Sequence, residues 1–452
     1  MIKTRFAPSP TGWLHIGGVR TALFSWLFAK SQNGEFLVRI DDTDTTRSTQ
    51  QYCDAIISAL NSLGLNSDQN LVYQSKRFDI YIDKIESLLE KGYAYYDKVE
   101  ITDKTKDTNL EIQYDNRLNK SEHVIRFKNP RDKKIVLKDM VHNDITFDPK
   151  TFHDVVILRS NGIPTYNLTS VVDDADMGIT HIIRGDDHLS NTAVQINLFN
   201  SLGYEVPVFG HLPMIHGVDG KRLSKRHGAV DINSFLDDGY LVEALINYLV
   251  KTGWSHGDDE FFTRNQLLEM FTIDKVTKSS AIFDYDKLNW LNQHYIKNKN
   301  IEDIADMILP YLADLGVDVK DRVYLEKILS LGIDRDYNLK DIANGMTHYF
   351  KDELTYDLIN FPKINIDVSK EILSNVSNKI EANKFVDKEQ ISMDIKQVCA
   401  DMSLKFKDIG PVVRFALTAK LKAPSIDELC FTLGKTRTLK RLQDFSTFII
   451  NL

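Results

Sequence analysis

Residues 2–40 read IKTRFAPSPTGWLHIGGVRTALFSWLFAKSQNGEFLVRI, and three hydrophobic patterns follow one another along this stretch. Ile2–Phe6 alternates as a short strand does, and within Val19–Leu27 the apolar residues recur at helical spacing. Asn33-Gly34 then stops the helix. Phe36–Ile40 is mostly apolar, as expected of a buried parallel strand. The stretch therefore predicts a βαβ unit with a right-handed crossover, which begins an open α/β sheet.

The composition is typical of a folded soluble protein. The chain has 452 residues, of which 42% are hydrophobic and 27% are charged, and its net charge is −8. These values exclude disordered and collagen-like classes, and the length predicts roughly three domains. Because there is neither a membrane-length apolar run nor an N-terminal signal core, we expect a cytoplasmic protein. The negative charge argues against a protein coated with cations for nonspecific DNA binding, but it does not exclude a nucleic-acid partner.

Further patterns divide the chain into segments. A second amphipathic helix is predicted at Phe78–Lys91, and strands are predicted at His123–Lys128 and Asp154–Arg159, with a hairpin-type turn at Asn161-Gly162. A strand at Thr180–Arg184 marks the return to the sheet, and helical periodicity dominates beyond about residue 235. We therefore expect a Rossmann-type α/β domain in two halves (1–96 and 166–234) around an α+β insertion (97–165), then a helical region (235–300) and an all-helical domain (301–452).

Two segments carry residues suited to phosphate. Pro8–Gly18 places a histidine and two glycines between a strand and a helix start, where the backbone can approach a ligand and the helix terminus favours an anion. Asp219–Gly228 surrounds a serine with Lys, Arg and His, which suits a loop closing on polyphosphate. Taken alone, the first segment is more typical of a tight turn with a capping histidine, and the second is equally typical of a solvated basic loop.

In this order, about two hundred residues apart, the two segments resemble the paired signatures of class I aminoacyl-tRNA synthetases. His15–Gly18 is similar to the HIGH-type element and Arg222–Arg226 to the KMSKS-type element. Arg5–Gly12 and Arg39–Asp44 are similar to the glutamate and glutamine subgroup, and most of all to glutamyl-tRNA synthetases. Further matches extend the resemblance over essentially the whole chain, at Val171–Asp174, Phe283–Leu288 and Leu433–Arg437.

The resemblance implies an enzyme that joins L-glutamate to AMP from ATP with Mg²⁺ and passes the glutamyl group to the terminal adenosine of tRNA. His15, at the α-phosphate, and Lys225, at the leaving pyrophosphate, would be the catalytic residues. The ATP-binding residues would be Pro8, Ser9, Thr11, Gly12, His15, Gly17, Gly18, Asp187, Leu223, Ser224, Lys225 and Arg226. The glutamate-binding residues would be Arg5, Ser9, Asp41, Tyr166, Ser170 and Arg184.

Two arginines bear on the choice between glutamate and glutamine. A buried carboxylate needs cationic partners, whereas a carboxamide does not. Arg5 and Arg184 are predicted at strand ends, where ligands of open α/β sheets bind. Resemblance to the glutamyl enzymes puts both on the substrate carboxylates, and glutaminyl enzymes typically lack an arginine at the second position. The alternative for Arg184 is a surface residue paired with Asp186 or Asp187.

The chain departs from the pattern of the subgroup at two positions. Asp41 stands where the usual motif has a glutamate that holds the ammonium of the amino acid, and Arg222 stands where the basic loop usually begins with lysine. Both changes keep the charge and alter its geometry.

The C-terminal third predicts the tRNA partner. Its helical spacing resembles the anticodon-binding module of bacterial glutamyl enzymes, whereas glutaminyl enzymes end in β-barrels. By the same resemblance, 97–165 would bind the acceptor end and 235–300 the stem. Asn344–Tyr349 lacks the arginine that some relatives present to the anticodon, so we hypothesise that tRNA-Gln is charged as well as, or instead of, tRNA-Glu. Contacts to tRNA phosphates are predicted for Lys435, Arg437, Lys440 and Arg441.

No metal site and a monomeric state are expected. The cysteines, Cys53, Cys399 and Cys430, are far apart, and the 97–122 segment, where some relatives hold zinc, has no cysteine cluster. Two other functions compete with the synthetase. A nucleotidylyltransferase also uses a His-x-Gly-His-like element but would not need the helical C-terminus, and a non-catalytic tRNA-binding descendant would not need His15, Lys225 and Arg5.

Overall fold

The computed structural model describes residues 1–44, 46–98, 118, 123–221, 223, 231–357, 361, 365–385, 387–421 and 423–450. The chain divides into two units. The first, called here the sheet unit, comprises Met1–Leu236 and Val242–Leu291, and the second, the helical unit, comprises Asp237–Leu241 and Asn292–Leu452.

Parallel strands form the framework of the sheet unit. β1 (Lys3–Phe6), β2 (Glu35–Ile40) and β3 (Val72–Tyr73) pair in that order. β9 (His181–Gly185) pairs with β10 (Val208–Leu212) in parallel. β9 lies beside β1, where the Thr180 N–H donates to the Lys3 carbonyl at 3.0 Å. The strands predicted from the opening stretch and at Thr180–Arg184 are therefore confirmed.

Helix α1 (Ile16–Ser31) joins β1 to β2 and buries ten of its residues. It begins three residues before the predicted apolar spacing, because Ile16 and the two glycines already form its first turn. The turn after it needs glycine at Gly34, since a Cβ there would collide with the carbonyl oxygen of Ile2. This close approach brings β2 back alongside β1.

The insertion consists of two antiparallel groups among its described residues. β4 (Ala94–Lys98), β5 (His123–Phe127) and β8 (Val155–Leu158) form one sheet, and β6 (Ile135–Asp139) pairs with β7 (Asn143–Phe147) as a hairpin. The predicted strands at His123–Lys128 and Asp154–Arg159 are confirmed. The predicted turn at Asn161-Gly162 is also present, since Leu158 and Pro164 form one antiparallel bridge across it.

Helices fill the rest of the sheet unit. A buried cluster joins the sheet to three of them and reaches the insertion, and it includes Leu37, Tyr81, Phe127, Val171 and Phe199. A short parallel pair, β11 (Ile215–His216) with β12 (Ala281–Ile282), adds a strand to the region predicted to be helical. Between residues 40 and 300 the helices are α2 (Gln50–Ser62), α3 (Phe78–Glu90), which confirms the predicted second helix, α4 (Tyr166–Asp176), α5 (Leu189–Leu202), α6 (Ile232–Asp237), α7 (Val242–Lys251), α8 (Arg264–Met270) and α9 (Tyr285–Lys297).

The helical unit has no strand in its described part. Its apolar stripes point inward, and Ile308, Ile342, Ile372 and Phe445 are all buried. From residue 301 onward the helices are α10 (Ile301–Asp314), α11 (Arg322–Gly332), α12 (Leu339–Met346), α13 (Ile366–Ala382), α14 (Lys388–Asp401), α15 (Phe406–Thr418), α16 (Ile426–Leu433) and α17 (Lys435–Ile450). The expected fold class, a parallel-sheet α/β domain with an α+β insertion and a helical C-terminal domain, is confirmed.

No helix among the described residues is both long and apolar enough to span a bilayer.

Two adjacent residues of α10 offer a test of the helical core. Ile308 has 0% of its surface exposed, whereas Met307 has 38%. We expect Ile308→Ala to lower the free energy of unfolding of the helical unit by about 2–5 kcal/mol, because it removes buried methyl groups and leaves a cavity. Met307→Ala should change it by less than about 1 kcal/mol. Urea denaturation followed by circular dichroism measures both, and equal losses would contradict the described packing.

Candidate active site

The site is built on the loop between β1 and α1. The loop is tied down by the Asp41 N–H, which donates to the Pro8 carbonyl at 2.9 Å, and by the Thr49 N–H, which donates to the Pro10 carbonyl at 3.2 Å. These bonds hold the loop against the carboxyl end of β2. Ligands of open α/β sheets bind at this edge.

A cavity of about 1070 Å³ opens at this edge of the sheet unit. Its size is sufficient for a nucleotide together with a small amino acid. Asp41 and Ser170 are not among its lining residues. Arg222, Ser224, Lys225 and Arg226 lie outside the described residues. The cavity brings together twelve predicted site residues, namely Arg5, Pro8, Ser9, Thr11, Gly12, His15, Gly17, Gly18, Tyr166, Arg184, Asp187 and Leu223.

One half of the cavity lies at the start of α1. His15 occupies the N-cap position, but its side chain does not cap the helix, and it remains exposed on the cavity wall. The first turn has no acidic residue, so the positive end of the helix is not neutralised there. A Cβ at Gly17 would have no atom within 4 Å, whereas one at Gly18 would lie 3.1 Å from a Leu14 methyl group. A bulky anion can therefore approach the backbone at Gly17.

Buried charge surrounds Arg5. Its Nε and Nη2 donate to the two carboxylate oxygens of Asp174 at 3.0 and 3.2 Å, and the same carboxylate accepts from Arg39 at 2.5 Å. Asp174 is 1% exposed. Burial by itself would raise the pKa of Asp174, but the two guanidinium groups outweigh it and lower the pKa. The Nη1 of Arg5 makes no hydrogen bond to a described residue.

Arg184 differs from Arg5 because no described carboxylate pairs with it. It is 5% exposed, and burial lowers the pKa of its guanidinium. Nε donates to His211 Nε2 at 3.2 Å, Nη1 to the Tyr166 hydroxyl at 3.3 Å and Nη2 to the Thr192 hydroxyl at 2.7 Å. The alternative of a surface arginine paired with Asp186 or Asp187 is therefore wrong.

Arg184 and Tyr166 each have one hydrogen-bond donor without a described acceptor. A guanidinium has five N–H bonds, and Nη1 carries two of them but makes one hydrogen bond to a described residue. The Tyr166 hydroxyl accepts from Arg184, and its own hydrogen makes no hydrogen bond to a described residue. An anionic group in the cavity would meet both donors.

Asp41 and Ser170 are buried beside the cavity. Asp41 accepts from Arg39 Nε at 2.7 Å, and burial raises the pKa of Asp41 to about 6 in spite of that partner. The Ser170 hydroxyl is buried and has no hydrogen-bond partner among the described residues.

The sequence patterns did not single out three buried residues in or behind the cavity wall, of which Arg20 lines the cavity and His211 and Thr192 lie behind Arg184. His211 and Thr192 contact Arg184, and Arg20 donates to the carbonyls of Thr252 and Pro213. Burial lowers the pKa of Arg20 to about 10. Only His211 could have been noticed from its local sequence, because it is a polar residue that interrupts the apolar run of β10.

Comparisons with known proteins agree with this geometry. The family of class I tRNA synthetases for E and Q, catalytic domain, matches residues 1–290, and an anticodon binding domain matches residues 303–446. Glutamate–tRNA ligase 1 of Coxiella burnetii is 42% identical over 99% of this chain and 98% of the relative. The glutamate–tRNA ligase of Geobacter sulfurreducens is 41% identical over 98% of each chain. The chain belongs to the glutamate–tRNA ligase family.

Solved structures of this family share the fold. A crystal structure of a glutamate tRNA ligase from Elizabethkingia meningosepticum in complex with its amino acid has a TM-score of 0.79 at 30% identity, over 99% of each chain. The chain is accordingly an aminoacyl-tRNA ligase of class I, and the resemblance seen in its motifs is confirmed.

The residues predicted to contact tRNA differ in how accessible their side chains are. A second cavity, of about 560 Å³, lies in the helical unit, and its lining includes Lys435, Arg437 and Lys440 at the start of α17. Lys440 is exposed and makes no hydrogen bond to a described residue, whereas Arg437 donates to the Tyr349 carbonyl at 2.8 Å and to Asp352 at 3.2 Å.

Arg441 is a correction to the predicted set. It is 1% exposed, and its guanidinium donates to the carbonyls of Leu417, His348 and Lys351 at 2.5–2.7 Å. A phosphate needs an accessible donor, so this placement argues against a direct contact, and Arg441 holds backbone segments of the helical unit together instead.

The Asp174 carboxylate provides a stability test. We expect Asp174→Ala to lower the free energy of unfolding of the sheet unit by about 3–5 kcal/mol, because the Arg5 guanidinium would remain buried without its partner. Asp176→Ala on the same helix is the control, since Asp176 is 57% exposed where it pairs with Arg77. That change should cost about 0–1 kcal/mol. Similar losses in thermal or urea denaturation would contradict the buried network.

Proposed function

We propose that the cavity of the sheet unit binds L-glutamate and ATP and forms glutamyl-adenylate. The observation that carries this proposal is Arg184, a buried guanidinium without a described carboxylate partner at the cavity wall. A buried charge of this kind is stabilised by a ligand of opposite charge. The side-chain carboxylate of glutamate supplies that charge and would accept hydrogen bonds from Arg184 Nη1 and the Tyr166 hydroxyl.

The same geometry supports selection against glutamine. A carboxamide has one acceptor oxygen and no charge, so it would leave the Arg184 guanidinium uncompensated and place an N–H₂ group near other donors. Arg5 Nη1 would contact a carboxylate of the amino acid. Asp41 would hold its ammonium, and Ser9 and Ser170 would complete the pocket.

ATP would lie along the start of α1. The open wall at Gly17 and the unneutralised helix terminus suit the triphosphate, and His15 would donate to the α-phosphate. Asp187, Leu223 and the basic loop with Ser224, Lys225 and Arg226 would complete the site. Mg²⁺ would enter with the phosphates of ATP. Among the described residues, no group of three or more His, Cys, Asp or Glu side chains could hold a metal ion.

The chemistry needs positioning and charge stabilisation rather than a protein nucleophile. A carboxylate oxygen of glutamate attacks the α-phosphorus, and the bond to pyrophosphate breaks. A ribose hydroxyl of the terminal adenosine then attacks the glutamyl carbonyl, and AMP leaves. Donors at the α-phosphate and at the pyrophosphate stabilise negative charge as it develops, and Lys225 would act on the pyrophosphate.

The tRNA would contact several segments. We assign the acceptor end to 97–165, the stem to 235–300 and the anticodon to 301–452, with Lys435, Arg437 and Lys440 at phosphates. We also propose that the enzyme is a cytoplasmic monomer and that the 97–122 segment holds no zinc. Of that segment only residues 97, 98 and 118 are described.

ATP–pyrophosphate exchange tests the proposed activity. Exchange that depends on glutamate, measured with and without tRNA, supports the synthetase. A nucleotidylyltransferase would not need the amino acid, and a non-catalytic tRNA-binding descendant would give no exchange under either condition. The family match over nearly the full chain disfavours both competitors.

The identity of the charged tRNA is tested separately. The absence of arginine from Asn344–Tyr349 favours tRNA-Gln as a second substrate beside tRNA-Glu. Aminoacylation of each purified tRNA decides this, and strong preference for tRNA-Glu alone would remove tRNA-Gln from the proposal.

Arg184→Ala tests the clamp on the side-chain carboxylate. Removing one partner of a buried charge pair costs about 2–5 kcal/mol, so the KM for glutamate should rise on the order of 10²-fold while the KM for ATP changes little. The preference for glutamate over glutamine should also narrow. Lys91→Ala, an exposed cation at the end of α3 outside the cavity lining, is the control. A variant with the wild-type KM and the wild-type rejection of glutamine would move Arg184 out of the pocket.

Lys225→Ala tests the basic loop. Because Lys225 would act on charge that develops in the transition state, kcat should fall on the order of 10²-fold or more, with a smaller rise in the KM for glutamate. His15→Ala should behave similarly. Steady-state exchange kinetics distinguish these changes from a surface role, for which kcat would be unchanged.

A further inference from the structure

A chain of buried hydrogen bonds ends on the Arg184 guanidinium. Asp139, the last residue of β6 in the insertion, lies 2.6 Å from His211 Nδ1. On the other edge of the same imidazole, Nε2 lies 3.2 Å from Arg184 Nε and 3.0 Å from the Thr192 hydroxyl. These side chains are nearly inaccessible, with 4% exposure for Asp139, 0% for His211 and 0% for Thr192.

The contacts fix the tautomer of His211. A carboxylate only accepts hydrogen bonds, so Nδ1 carries the proton that faces Asp139. Arg184 Nε is always a donor, so Nε2 must be bare to accept from it. Burial, with Arg184 nearby, lowers the pKa of His211 although Asp139 opposes the shift, which agrees with a neutral ring.

We propose that His211 is a positioning residue that holds the Arg184 guanidinium in register with the substrate side chain, and that Asp139 sets the tautomer it needs. The inference rests on the proposed function, since it concerns the residue assigned to the carboxylate of glutamate. It adds the two residues that determine how well this carboxylate is distinguished from a carboxamide.

The strand register supports this role. Arg184 and His211 are opposite each other on the parallel strands β9 and β10, so their side chains leave the same face of the sheet. The Phe209 ring lies 5.3 Å from the Arg184 guanidinium carbon and stacks on the His211 ring at 6.0 Å. Both partners are therefore fixed by backbone pairing and packing, and the acceptor at Nε2 removes the remaining rotation of the guanidinium.

A neutral acceptor has a specific advantage at this position. A carboxylate in place of His211 would hold Arg184 equally well, but it would neutralise the charge that binds the substrate. An imidazole accepts the hydrogen bond and leaves the charge uncompensated. The carboxylate of the pair, Asp139, is kept one ring further away.

Two substitutions at His211 separate its two hydrogen bonds. His211→Asn keeps a donor near the position of Nδ1 for Asp139 but has no acceptor at the position of Nε2. His211→Gln reaches the position of Nε2 with its carbonyl oxygen and gives up the bond to Asp139. We expect the KM for glutamate to rise on the order of tenfold or more in His211→Asn, since a hydrogen bond to a charged group is lost. His211→Gln should stay within about threefold of wild type.

Asp139→Asn tests the tautomer without removing the imidazole. An amide N–H facing Nδ1 would move the ring proton to Nε2, where it would oppose the Arg184 N–H. We expect a rise in the KM for glutamate, a narrower preference over glutamine, and an unchanged KM for ATP. Asp79→Asn, an exposed residue of α3 outside the cavity lining, is the control and should behave as wild type.

The measurements are exchange kinetics with glutamate, glutamine and ATP on the full chain, with Arg184→Ala in parallel and thermal unfolding of every variant. If His211 had a purely structural role, His211→Asn and His211→Gln would have the same effect. In each variant the KM for glutamate and the KM for ATP would then rise together or stay unchanged together. That result would overturn the inference, as would wild-type glutamate KM values in both His211→Asn and Asp139→Asn. If Arg184→Ala itself has a wild-type KM, the proposed function of the clamp fails instead. Should His211→Asn not fold, Asp139→Asn with its control decides the question.

Discussion

The Asp174 carboxylate accepts hydrogen bonds from guanidinium groups on two neighbouring strands, Arg5 on β1 and Arg39 on β2. This interaction lets a parallel sheet carry cations at its carboxyl edge while they are shielded from water. Without such a partner, each arginine would cost several kcal/mol to bury. The end of the cavity that we assign to the amino acid depends on this arrangement, because a carboxylate is attracted only where positive charge remains unpaired.

The buried arginines differ in whether an acid neutralises their charge. Arg5 and Arg39 are paired with acids, whereas Arg184 is surrounded by neutral acceptors, the Tyr166 and Thr192 hydroxyls and the His211 ring. Arg184 is therefore one of two arginines of the cavity without a described carboxylate partner, and the other, Arg20, donates to backbone carbonyls. The half of the cavity that we assign to the phosphates differs, because it offers an open glycine wall at a helix terminus, where an anion can contact backbone N–H groups.

Much of this could be predicted from local sequence patterns. β1, β2, β9 and α3 follow from hydrophobic spacing, and the strand-end position of Arg184 pointed to the cavity. The β6–β7 hairpin could not be predicted, because its charged residues obscure the alternation. The pairing of Asp139 with His211 could not be predicted either, because the two residues are far apart in sequence. Arg441 was assigned to tRNA because a count of cations does not reveal burial, and its three carbonyl partners come from two separate segments, Leu417 from one and His348 and Lys351 from the other. The predictions for the basic loop, Ser224–Arg226, lie outside the described residues.

The neutral shell around Arg184 has a consequence for protein engineering. A buried cation without an acid partner lowers the stability of the fold around the pocket. Natural proteins commonly keep such destabilising groups where activity needs them. A screen for heat resistance would reward any substitution that places an acid beside Arg184, for example at Thr192 or His211. Such a variant would be more stable, but its new carboxylate would pair with Arg184 in the place of the carboxylate of the substrate. Directed evolution of this scaffold must therefore select for turnover and stability together.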